Sequence, residues 1–398
     1  MRWLVVVGLI AALALLHFVA SDGGSGPGPS ASAPATALLP PRPRALSAGQ
    51  HYVVALDLDG RVHGWGGFDA GGPVQFSPGG APALVVEGSG YRFVSAGNRS
   101  ILLIDAEGGL RRVSLRGLGD GQRKPLRIFA PRRFLLAHEN WGTGIAVDRD
   151  GGLWYWDDEA LERSRSGGAE VEPVQLEVGS RFVDACIQAT RLHAVDDAGR
   201  LWRSRELRAT SQRQGALPQG ASTRLDPVAA DAQLLQVRCR ENASQVIALD
   251  AQGRLWGYGS GTFGELGLGD DGEGGTPFDA PALLPIDSGD TRFATIAVSK
   301  DITFAIATDG SLWGFGRNLD HELGLREGSS FDRPTPLTPG RSWLAVAGTF
   351  GGGVAIAADG SAHAWGANTY GVLGDGGVAR AHEVPLPVLT DVRFGGRD

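Results

Sequence analysis

The sequence predicts an all-β fold, a single seven-bladed β-propeller built from seven repeats of about 50 residues. One observation is that a short hairpin pattern recurs seven times along the chain, without a helical pattern between the copies. Another is that the second strand of each copy carries apolar residues on both of its faces, so both sides of each sheet must be covered. Sheets stacked radially around a common axis cover one another in this way.

Length and composition are those of an ordinary globular protein. The chain has 398 residues, of which 42% are hydrophobic, which is enough for a large core in one or two domains. Its net charge of -7 argues against a general affinity for nucleic acid, because phosphates usually meet a basic protein face. We therefore expect no nucleic-acid partner.

Residues 1–21 form the first element, MRWLVVVGLIAALALLHFVAS. A positive charge at Arg2, an apolar stretch over residues 3–20 and the small pair Ala20 and Ser21 are typical of a signal peptide. The apolar stretch is nearly as long as the about 20 residues that a membrane-spanning helix needs, so an uncleaved anchor is the alternative. Both interpretations predict export, with the protein periplasmic, secreted or attached to the membrane through residues 3–20.

Residues 22–44 form the second element, DGGSGPGPSASAPATALLPPRPR, which is rich in Gly, Ser, Pro and Ala. This composition predicts a flexible, partly extended tether, because it offers little apolar surface for packing. The propeller is then predicted over residues 45–398.

A marker glycine defines each of the seven repeats that follow. The intervals between successive markers range from 43 to 57 residues and average 50. An apolar run ends in Asp-type turn residues and the glycine, whose positive φ permits a tight turn between antiparallel strands. In the first copy, LDLDGRVHGW at 56–65, we interpret Asp57 and Asp59 as turn residues, because no glutamate recurs at a fixed offset to complete a calcium site. The markers are Gly60, Gly108, Gly151, Gly199, Gly253, Gly310 and Gly360.

Several copies resemble the repeat of the regulator of chromosome condensation family, whose units read roughly G-x-[LV]-x-x-W-G-x-N-x-x-G-x-L-G. They are GRLWGYGSGTFGELGLGD at 253–270, GSLWGFGRNLDHELGL at 310–325 and GSAHAWGANTYGVLGDG at 360–376. The family's Ala-Gly…His start is visible at Gly49 and His51. The resemblance covers about residues 45–394 and is strong in units 1, 5, 6 and 7 and weak in units 2–4. It implies the family's seven-bladed propeller.

The C-terminal segment VPLPVLTDVRF, residues 384–394, repeats the connector that precedes other units. We expect it to lie beside the N-terminal strands near Leu46, so that the first and last blades are joined noncovalently. Closure removes edges that would otherwise invite aggregation. We expect the protein to be a monomer.

Cys186 and Cys239 are the only cysteines, and they stand 13 and 14 residues before the marker glycines of neighbouring units. In an exported protein, a disulfide between adjacent units is one interpretation. The other is a pair of buried thiols on inner strands, because free cysteine packs as a small apolar residue. The sequence leaves both open.

No catalytic, cofactor-binding or metal-binding pattern stands out in the sequence. It contains no Gly-x-Ser-x-Gly elbow, no phosphate-binding glycine loop and no His-x-x-x-His pair, and neither cysteine has an adjacent histidine. His63 and His363 stand where other copies have tryptophan, which indicates packing. We therefore predict no enzyme activity, no cofactor and no metal.

A basic segment between units 2 and 3 is the candidate interaction patch. Residues 111–133 contain eight basic side chains and one acidic side chain, Asp120, in a chain that is acidic overall. A solvated loop on an eroded blade is the alternative explanation. The candidate patch residues are Arg116, Arg123, Lys124, Arg127, Arg132 and Arg133.

These observations predict a noncatalytic exported binding module whose partner is a protein or an acidic polymer. The resemblance implies protein binding, because the family includes guanine nucleotide exchange on a small GTPase and because bacterial propellers inhibit β-lactamases. The alternative is a propeller enzyme, lyase-like or glycosidase-like, acting on an extracellular polymer. Fold alone does not decide between the two.

Overall fold

Seven antiparallel sheets surround a central channel in the computed structural model, which confirms the predicted seven-bladed all-β propeller. The structure describes residues 44–69, 73–75, 80–98, 100–115, 122–140, 143–157, 161, 172–176, 179–189, 191–204, 224–269, 279–377 and 381–395. Residues 1–43, with the predicted signal or anchor and nearly all of the tether, lie outside this part, and so does Arg116.

The named strands of each blade come from one stretch of chain, and they are lettered A to D from the channel outward. In blade 1, strand D consists of two short pieces, β4 and β5, which both pair with β3. The strands of blades 1–3 are β1 (Leu46–Ala48), β2 (Tyr52–Leu56), β3 (Val62–Asp69), β4 (Pro73–Gln75), β5 (Ala83–Leu84), β6 (Tyr91–Ala96), β7 (Ser100–Asp105), β8 (Leu110–Ser114), β9 (Leu126–Arg127), β10 (Phe134–Glu139), β11 (Thr143–Asp148), β12 (Leu153–Asp157) and β13 (Val174–Leu176).

Blades 4–7 repeat the same order A-B-C-D, with four strands each in the described part of the chain. Their strands are β14 (Phe182–Gln188), β15 (Arg191–Asp196), β16 (Leu201–Ser204), β17 (Leu225–Val228), β18 (Leu234–Arg238), β19 (Gln245–Asp250), β20 (Leu255–Ser260), β21 (Asp279–Pro285), β22 (Phe293–Val298), β23 (Ile302–Ala307), β24 (Leu312–Arg317), β25 (Ser330–Pro336), β26 (Trp343–Gly348), β27 (Gly352–Ala357), β28 (Ala362–Gly366) and β29 (His382–Pro387).

The marker glycines lie in the turns between strands B and C, as the sequence predicts. Gly60 has a φ of +70°, and a Cβ at this position would lie 2.6 Å from the Tyr91 carbonyl oxygen, so the turn requires glycine. Asp57 shapes the same turn, because its Oδ1 accepts the backbone N–H groups of Asp59 and Arg61, each at 2.9 Å. The turn role of Asp57 is therefore confirmed, while Asp59 contributes through its backbone.

The turn aspartates also accept a hydrogen bond from a side chain of strand C. No sequence pattern predicted this interaction. Asp148 Oδ2 accepts the indole N–H of Trp154 at 2.7 Å, and Asp250 Oδ2 accepts that of Trp256 at 3.0 Å. In blade 1, the His63 imidazole replaces the indole and meets Asp57 Oδ2 at 2.9 Å. The histidine therefore keeps the polar contact of the tryptophan as well as its packing position.

Strand C also joins neighbouring blades, through the aromatic residue five places after the marker glycine. The indole N–H of Trp65 in blade 1 donates to the Val372 carbonyl at 2.9 Å, in the C–D connection of blade 7. The indole N–H of Trp365 in blade 7 likewise donates to the Glu322 carbonyl at 3.0 Å, in the C–D connection of blade 6. Both indoles are fully buried, so each C–D connection is covered by the next blade.

A backbone hydrogen bond marks each joint between consecutive blades. The carbonyl of a marker glycine accepts the N–H of the first residue in the next A strand, as at Phe134 and Gly108 at 2.7 Å. The other pairs are Tyr91 with Gly60, Phe182 with Gly151, Leu234 with Gly199, Phe293 with Gly253, Trp343 with Gly310 and Phe394 with Gly360. The last pair places Phe394 where the first residue of an eighth blade would stand.

Phe394 closes the ring by completing the innermost strand of blade 1. It lies opposite Asp57 in an antiparallel bridge, and the N–H of Gly395 donates to the Leu56 carbonyl at 3.1 Å. The rest of that strand is β1, which comes from the other end of the described chain. The predicted closure therefore occurs, but it involves the very end of the 384–394 segment, because the part within β29 pairs with β28 of its own blade.

Candidate functional site

The central channel contains a cavity of about 90 Å³ that is lined by the innermost strands of all seven blades. Backbone and small side chains from blades 1, 2, 6 and 7 form part of its wall. Charged and polar side chains are concentrated on blades 3 and 5 and at the start of the described chain. They are Arg44, His138, Glu139, Asn140, Arg238, Arg240 and Glu241.

Three arginines line the cavity, and they differ in their contacts. Arg238 bonds with Asp184 and donates to the Val237 carbonyl at 2.8 Å. Arg240 donates to the Gly348 carbonyl at 2.6 Å and the Ala48 carbonyl at 3.3 Å, so it reaches from blade 5 to blades 7 and 1. Arg44 lies 3.4 Å from the Nδ1 atom of His138 and forms no ion pair with any residue in the described part of the chain.

Burial of these groups favours their neutral forms. Desolvation, together with the nearby Arg238 guanidinium, lowers the pKa of Arg44 to about 9. Desolvation also lowers the pKa of Arg240. For His138, desolvation and the Arg44 and Arg238 charges hold the pKa well below its usual range, so this imidazole is neutral at physiological pH.

Each carboxylate that borders the channel is held by a donor. Asp184 binds Arg238, and Glu139 forms a buried ion pair with Arg112, with Nε and Oε2 3.3 Å apart. Glu241 accepts the side-chain amides of Gln50 at 3.0 Å and Asn98 at 2.7 Å. Carboxylates fixed in this way stabilise the ring and are poorly suited to moving a proton.

The loop of residues 239–244, between strands A and B of blade 5, crosses one mouth of the channel; we call it the mouth loop. Its Glu241 reaches the A–B turns of blades 1 and 2, and its Arg240 reaches blades 7 and 1. Its Ala243 carbonyl accepts the side-chain amide of Gln188 at 2.7 Å. The A–B turns and the C–D connections lie on this side of the ring, which we call the A–B face.

Cys186 and Cys239 are joined by a disulfide in the structure, with their Cα atoms 5.6 Å apart. The bridge connects the A strand of blade 4 with the first residue of the mouth loop, and both cysteines line the channel. Of the two sequence interpretations, this is the bridge between adjacent units. It fixes the start of the mouth loop to the channel wall.

An aromatic cluster lies on the A–B face beside the point of ring closure; we call it the rim cluster. The His51 ring centroid lies 4.0 Å from that of Tyr370 and 6.1 Å from that of Phe350. The ammonium of Lys300 lies 5.3 Å from the Phe350 centroid, and Phe350 is 46% exposed. Blades 1, 6 and 7 therefore combine to present aromatic surface and a cation to solvent.

The described residues of the candidate basic patch lie on the outer part of blade 2 and on the connection to blade 3. Lys124, Arg127 and Arg133 are exposed and form no ion pair with another described residue. Arg132 is engaged, because its guanidinium lies 4.2 Å from the Trp154 centroid and 3.4 Å from Glu172 Oε2. Arg123 is half-buried, and its backbone pairs with Val85 and Glu87 of blade 1.

Two other basic residues of this segment have internal partners. Arg111 binds Asp105 at 3.0 Å, and Arg112 is buried against Glu139. The excess of arginine in unit 2 is therefore partly structural, because Arg112 occupies an interior position and its charge is neutralised there. The exposed remainder of the patch is smaller than the sequence suggests.

Within the described ranges, no three histidine, cysteine, aspartate or glutamate side chains are grouped so that they could hold a metal ion. The same ranges contain no helix that is long and apolar enough to cross a membrane.

Sequence reasoning missed the channel residues and the rim cluster. The channel residues His138 and Arg238 occupy the same position of the repeat, but other blades have Ser95, Cys186 or Ala297 there, so the position leaves no recurring residue type as a signal. For the rim cluster, one signal was available: Gly49 and His51 begin the best-preserved Ala-Gly…His motif, whose histidine the structure places on the A–B face.

Comparison with known proteins shows what this chain is similar to. The family model described as "Regulator of chromosome condensation (RCC1) repeat" matches residues 252–306. The human "Regulator of chromosome condensation" is 25% identical over 306 residues, which cover 70% of this chain and 72% of that protein.

Solved structures show the same fold. A crystal structure of Prp20p from Saccharomyces cerevisiae, described with its binding properties to Gsp1p and histones, has a TM-score of 0.63 at 17% identity and covers 86% of this chain and 88% of its own. The crystal structure of Kap60 bound to yeast RCC1 (Prp20) has a TM-score of 0.65 at 16% identity, and the match covers 94% of this chain and 92% of that chain. At these identities, the likeness to the structures shows the fold alone.

Proposed function

We propose that this seven-bladed propeller, which is similar to the regulator of chromosome condensation, is a noncatalytic binding module that recognises another protein through its A–B face. The rim cluster carries the proposal. It exposes Phe350 next to His51 and Tyr370, and aromatic side chains are enriched at protein interfaces. The neighbouring Lys300 forms an ion pair with Asp301 at 3.8 Å.

Rigidity of the supporting structure favours this surface. The rim cluster is assembled from three blades beside the closure, where Trp65 binds Val372 across the joint of blades 7 and 1. Side chains that a closed ring holds in place lose little conformational entropy when a partner binds. Related proteins offer a parallel, since the structures with the same fold are described in complex with Kap60 or by their binding to Gsp1p and histones.

An enzymatic role as a lyase or glycosidase has less support. The channel carboxylates Asp184, Glu139 and Glu241 are each bound by arginine or amide donors. A catalytic carboxyl must lie within hydrogen-bond reach of the substrate, whereas these three are engaged by donors of the protein itself.

The exposed residues Lys124, Arg127 and Arg133 constitute a second proposed contact surface, for an acidic protein or a polyanionic polymer. Single exposed charge pairs contribute only about 0 to 1 kcal/mol, so the effect should come from the three together and should weaken with salt. The test is to change the three residues together to glutamate and to measure partner capture at low and moderate salt. Unchanged capture at both salts would leave this segment as ordinary surface.

Export through residues 1–21 remains part of the proposal. The disulfide between Cys186 and Cys239 agrees with export, because disulfides form and persist in oxidising compartments outside the cytoplasm. Fractionation with N-terminal sequencing tests it. A mature chain that begins near Asp22 in the soluble fraction supports a cleaved signal, whereas an intact Met1 in membranes supports an anchor. A cytoplasmic location would contradict both.

Site-specific photo-crosslinking tests the binding proposal. A photo-reactive residue replaces Phe350 on the A–B face of the full chain, and in a matched variant it replaces Leu58, which is 53% exposed in the B–C turn of blade 1. In extracts of the native host, the Phe350 variant should form a discrete protein adduct that the Leu58 variant lacks. The same adduct from Leu58 alone would move the interface to the opposite side of the ring.

A further inference from the structure

The charge balance of the channel points to a ligand that is not a protein. Three guanidinium groups line the cavity, and His138 among them is neutral. Two carboxylates, Asp184 and Glu241, remain to balance the charge of these guanidinium groups. The third carboxylate, Glu139, is neutralised by Arg112 and is left out of the count. The channel therefore holds one more positive than negative charge, on side chains that are partly buried, and a partly desolvated charge without a counterion favours the binding of an anion.

Arg44 forms no ion pair with a described residue, and Asp184, the carboxylate whose charge acts on it, is bound to Arg238. The only hydrogen-bonding neighbour of Arg44 in the described part of the chain is the His138 ring at 3.4 Å, whereas its planar guanidinium carries five N–H donors. The backbone holds the residue in place, because its carbonyl accepts the Val94 N–H at 3.0 Å and it bridges to Phe93. An arginine that is fixed by its backbone and surrounded by other positive charges needs an anion for its donors.

We propose that the channel binds a small oxyanion, such as sulfate, phosphate or a short carboxylate, between Arg44, Arg238 and the Ser95 and His138 pair. The guanidinium fork matches two oxygens of such an anion. Ser95 Oγ lies 3.1 Å from His138 Nδ1, so this pair adds polar contacts on the blade 2 and blade 3 side of the cavity.

The size of the cavity agrees with this ligand class. Its volume of about 90 Å³ is several times the about 10–15 Å³ that a single water requires on the same measure. The mouth loop covers the A–B end of the channel, with Arg240 and Glu241 bonded to the blades around it. A bound anion would lie beneath this loop and reduce the repulsion between Arg44, Arg238 and Arg240.

The test is isothermal titration of the full chain with sodium sulfate, sodium phosphate and sodium acetate, at constant ionic strength set with sodium chloride. Wild-type protein should bind at least one of these anions saturably with one site per chain. Arg44→Gln should weaken that binding by about tenfold or more, as expected for loss of a charge-assisted pair. Arg61→Gln, in the exposed B–C turn of blade 1, should bind as wild type does.

Thermal unfolding without the added anions separates a binding role of Arg44 from a structural role. Because Arg44 forms no ion pair with a described residue, Arg44→Gln should be at least as stable as wild type in chloride buffer, and its unfolding temperature should respond less to the added anion. Wild type that shows no saturable heat with any of the three anions would overturn the proposal, even if the variant fails to fold. Equal binding by Arg44→Gln and wild type would also overturn it, because that result indicates an adventitious ion only.

Discussion

Phe394 lies opposite Asp57, and this pairing connects the end of the described chain to the first blade. The same backbone relationship links Phe134 to Asp148 and Phe182 to Asp196 within blades 3 and 4. In those blades the strand is continuous, whereas in blade 1 it is assembled from both ends of the propeller. The joint between blades 7 and 1 is therefore held only by noncovalent contacts, and Phe394 is buried at its centre.

Truncation of this side chain should weaken the closed ring. Phe394→Ala removes a buried ring that contacts His63 and Trp65, and comparable core truncations cost about 3–5 kcal/mol. The free energy of unfolding in urea measures the loss. Phe350→Ala, which removes a half-exposed ring on the A–B face, is the control and should cost less than about 1 kcal/mol. A Phe394→Ala protein as stable as the control would show that closure does not depend on this residue.

Reduction of the disulfide should destabilise the propeller without unfolding it at room temperature. The bridge closes a loop with a sequence separation of 53, for which the chain-entropy account gives about 4 kcal/mol. Unfolding curves with and without reductant measure the difference. The Cys186→Ala, Cys239→Ala double variant should resemble the reduced protein and should not respond to reductant; a response would point to another effect of the reagent.

Acid should destabilise the protein through His193. This histidine is fully buried, neither ring nitrogen has a partner among the described residues, and burial beside Arg203 and Arg191 lowers its pKa to about 3. The unfolded chain takes up this proton near pH 6.5 and the folded chain near pH 3, so stability present above pH 6.5 is lost as the pH falls towards 3.

A His193→Leu variant isolates this contribution. The quantity to compare is the free energy of unfolding of the variant minus that of wild type. This difference should be about 1–3 kcal/mol larger at pH 4.5 than at pH 8, because leucine takes up no proton in either state. Urea unfolding at the two pH values gives the comparison. An equal difference between the proteins at both pH values would mean that His193 does not titrate as described.

The C–D connection of blade 6 should depend on Asn318. This buried side chain accepts the Leu323 N–H at 3.0 Å and donates to the carbonyls of Leu325 at 3.0 Å and Gly328 at 2.9 Å. Asn318→Ala removes these hydrogen bonds, after which the Leu325 carbonyl keeps its contact with His321 Nδ1 at 3.0 Å, and should cost about 2–3 kcal/mol in urea unfolding. Ser329→Ala, in the exposed part of the same loop, is the matched control, and a similar cost for both would show that the amide is not what shapes the loop.

The repeat made the blades predictable from the sequence. Marker glycines such as Gly60 are required by a local backbone conformation, and Val62 and its counterparts are buried by strand alternation, so both features recur at fixed spacing. The closure was partly predictable, because VRF at 392–394 matches TRF at 291–293. In the described chain, the C-terminal segment pairs with blade 1 only through Phe394 and Gly395. The extent of this pairing depends on where β29 leaves its sheet, and no local sequence pattern encodes that point.

The channel and the rim cluster could not be predicted in the same way, because ring closure brings together residues that are distant in the sequence. Arg44 is the last residue of the predicted tether, yet its side chain lies against His138, which is 94 positions away. Glu241 meets Gln50 across 191 positions. The exposed basic segment was visible in the sequence, but the internal pairing of Arg112 with Glu139 depends on the packing of blades 2 and 3.

The affinity of the crosslinked partner for two surface variants tests the proposal of an A–B face interface most directly. Phe350→Ala should weaken binding of the purified partner by at least about tenfold, because aromatic residues at the centre of an interface commonly contribute more than about 1.4 kcal/mol. Leu58→Ala, which removes an exposed apolar side chain from the opposite face, should bind as wild type does. Wild-type affinity for Phe350→Ala together with weakened binding by Leu58→Ala would contradict the proposal and would place the partner on the B–C turns.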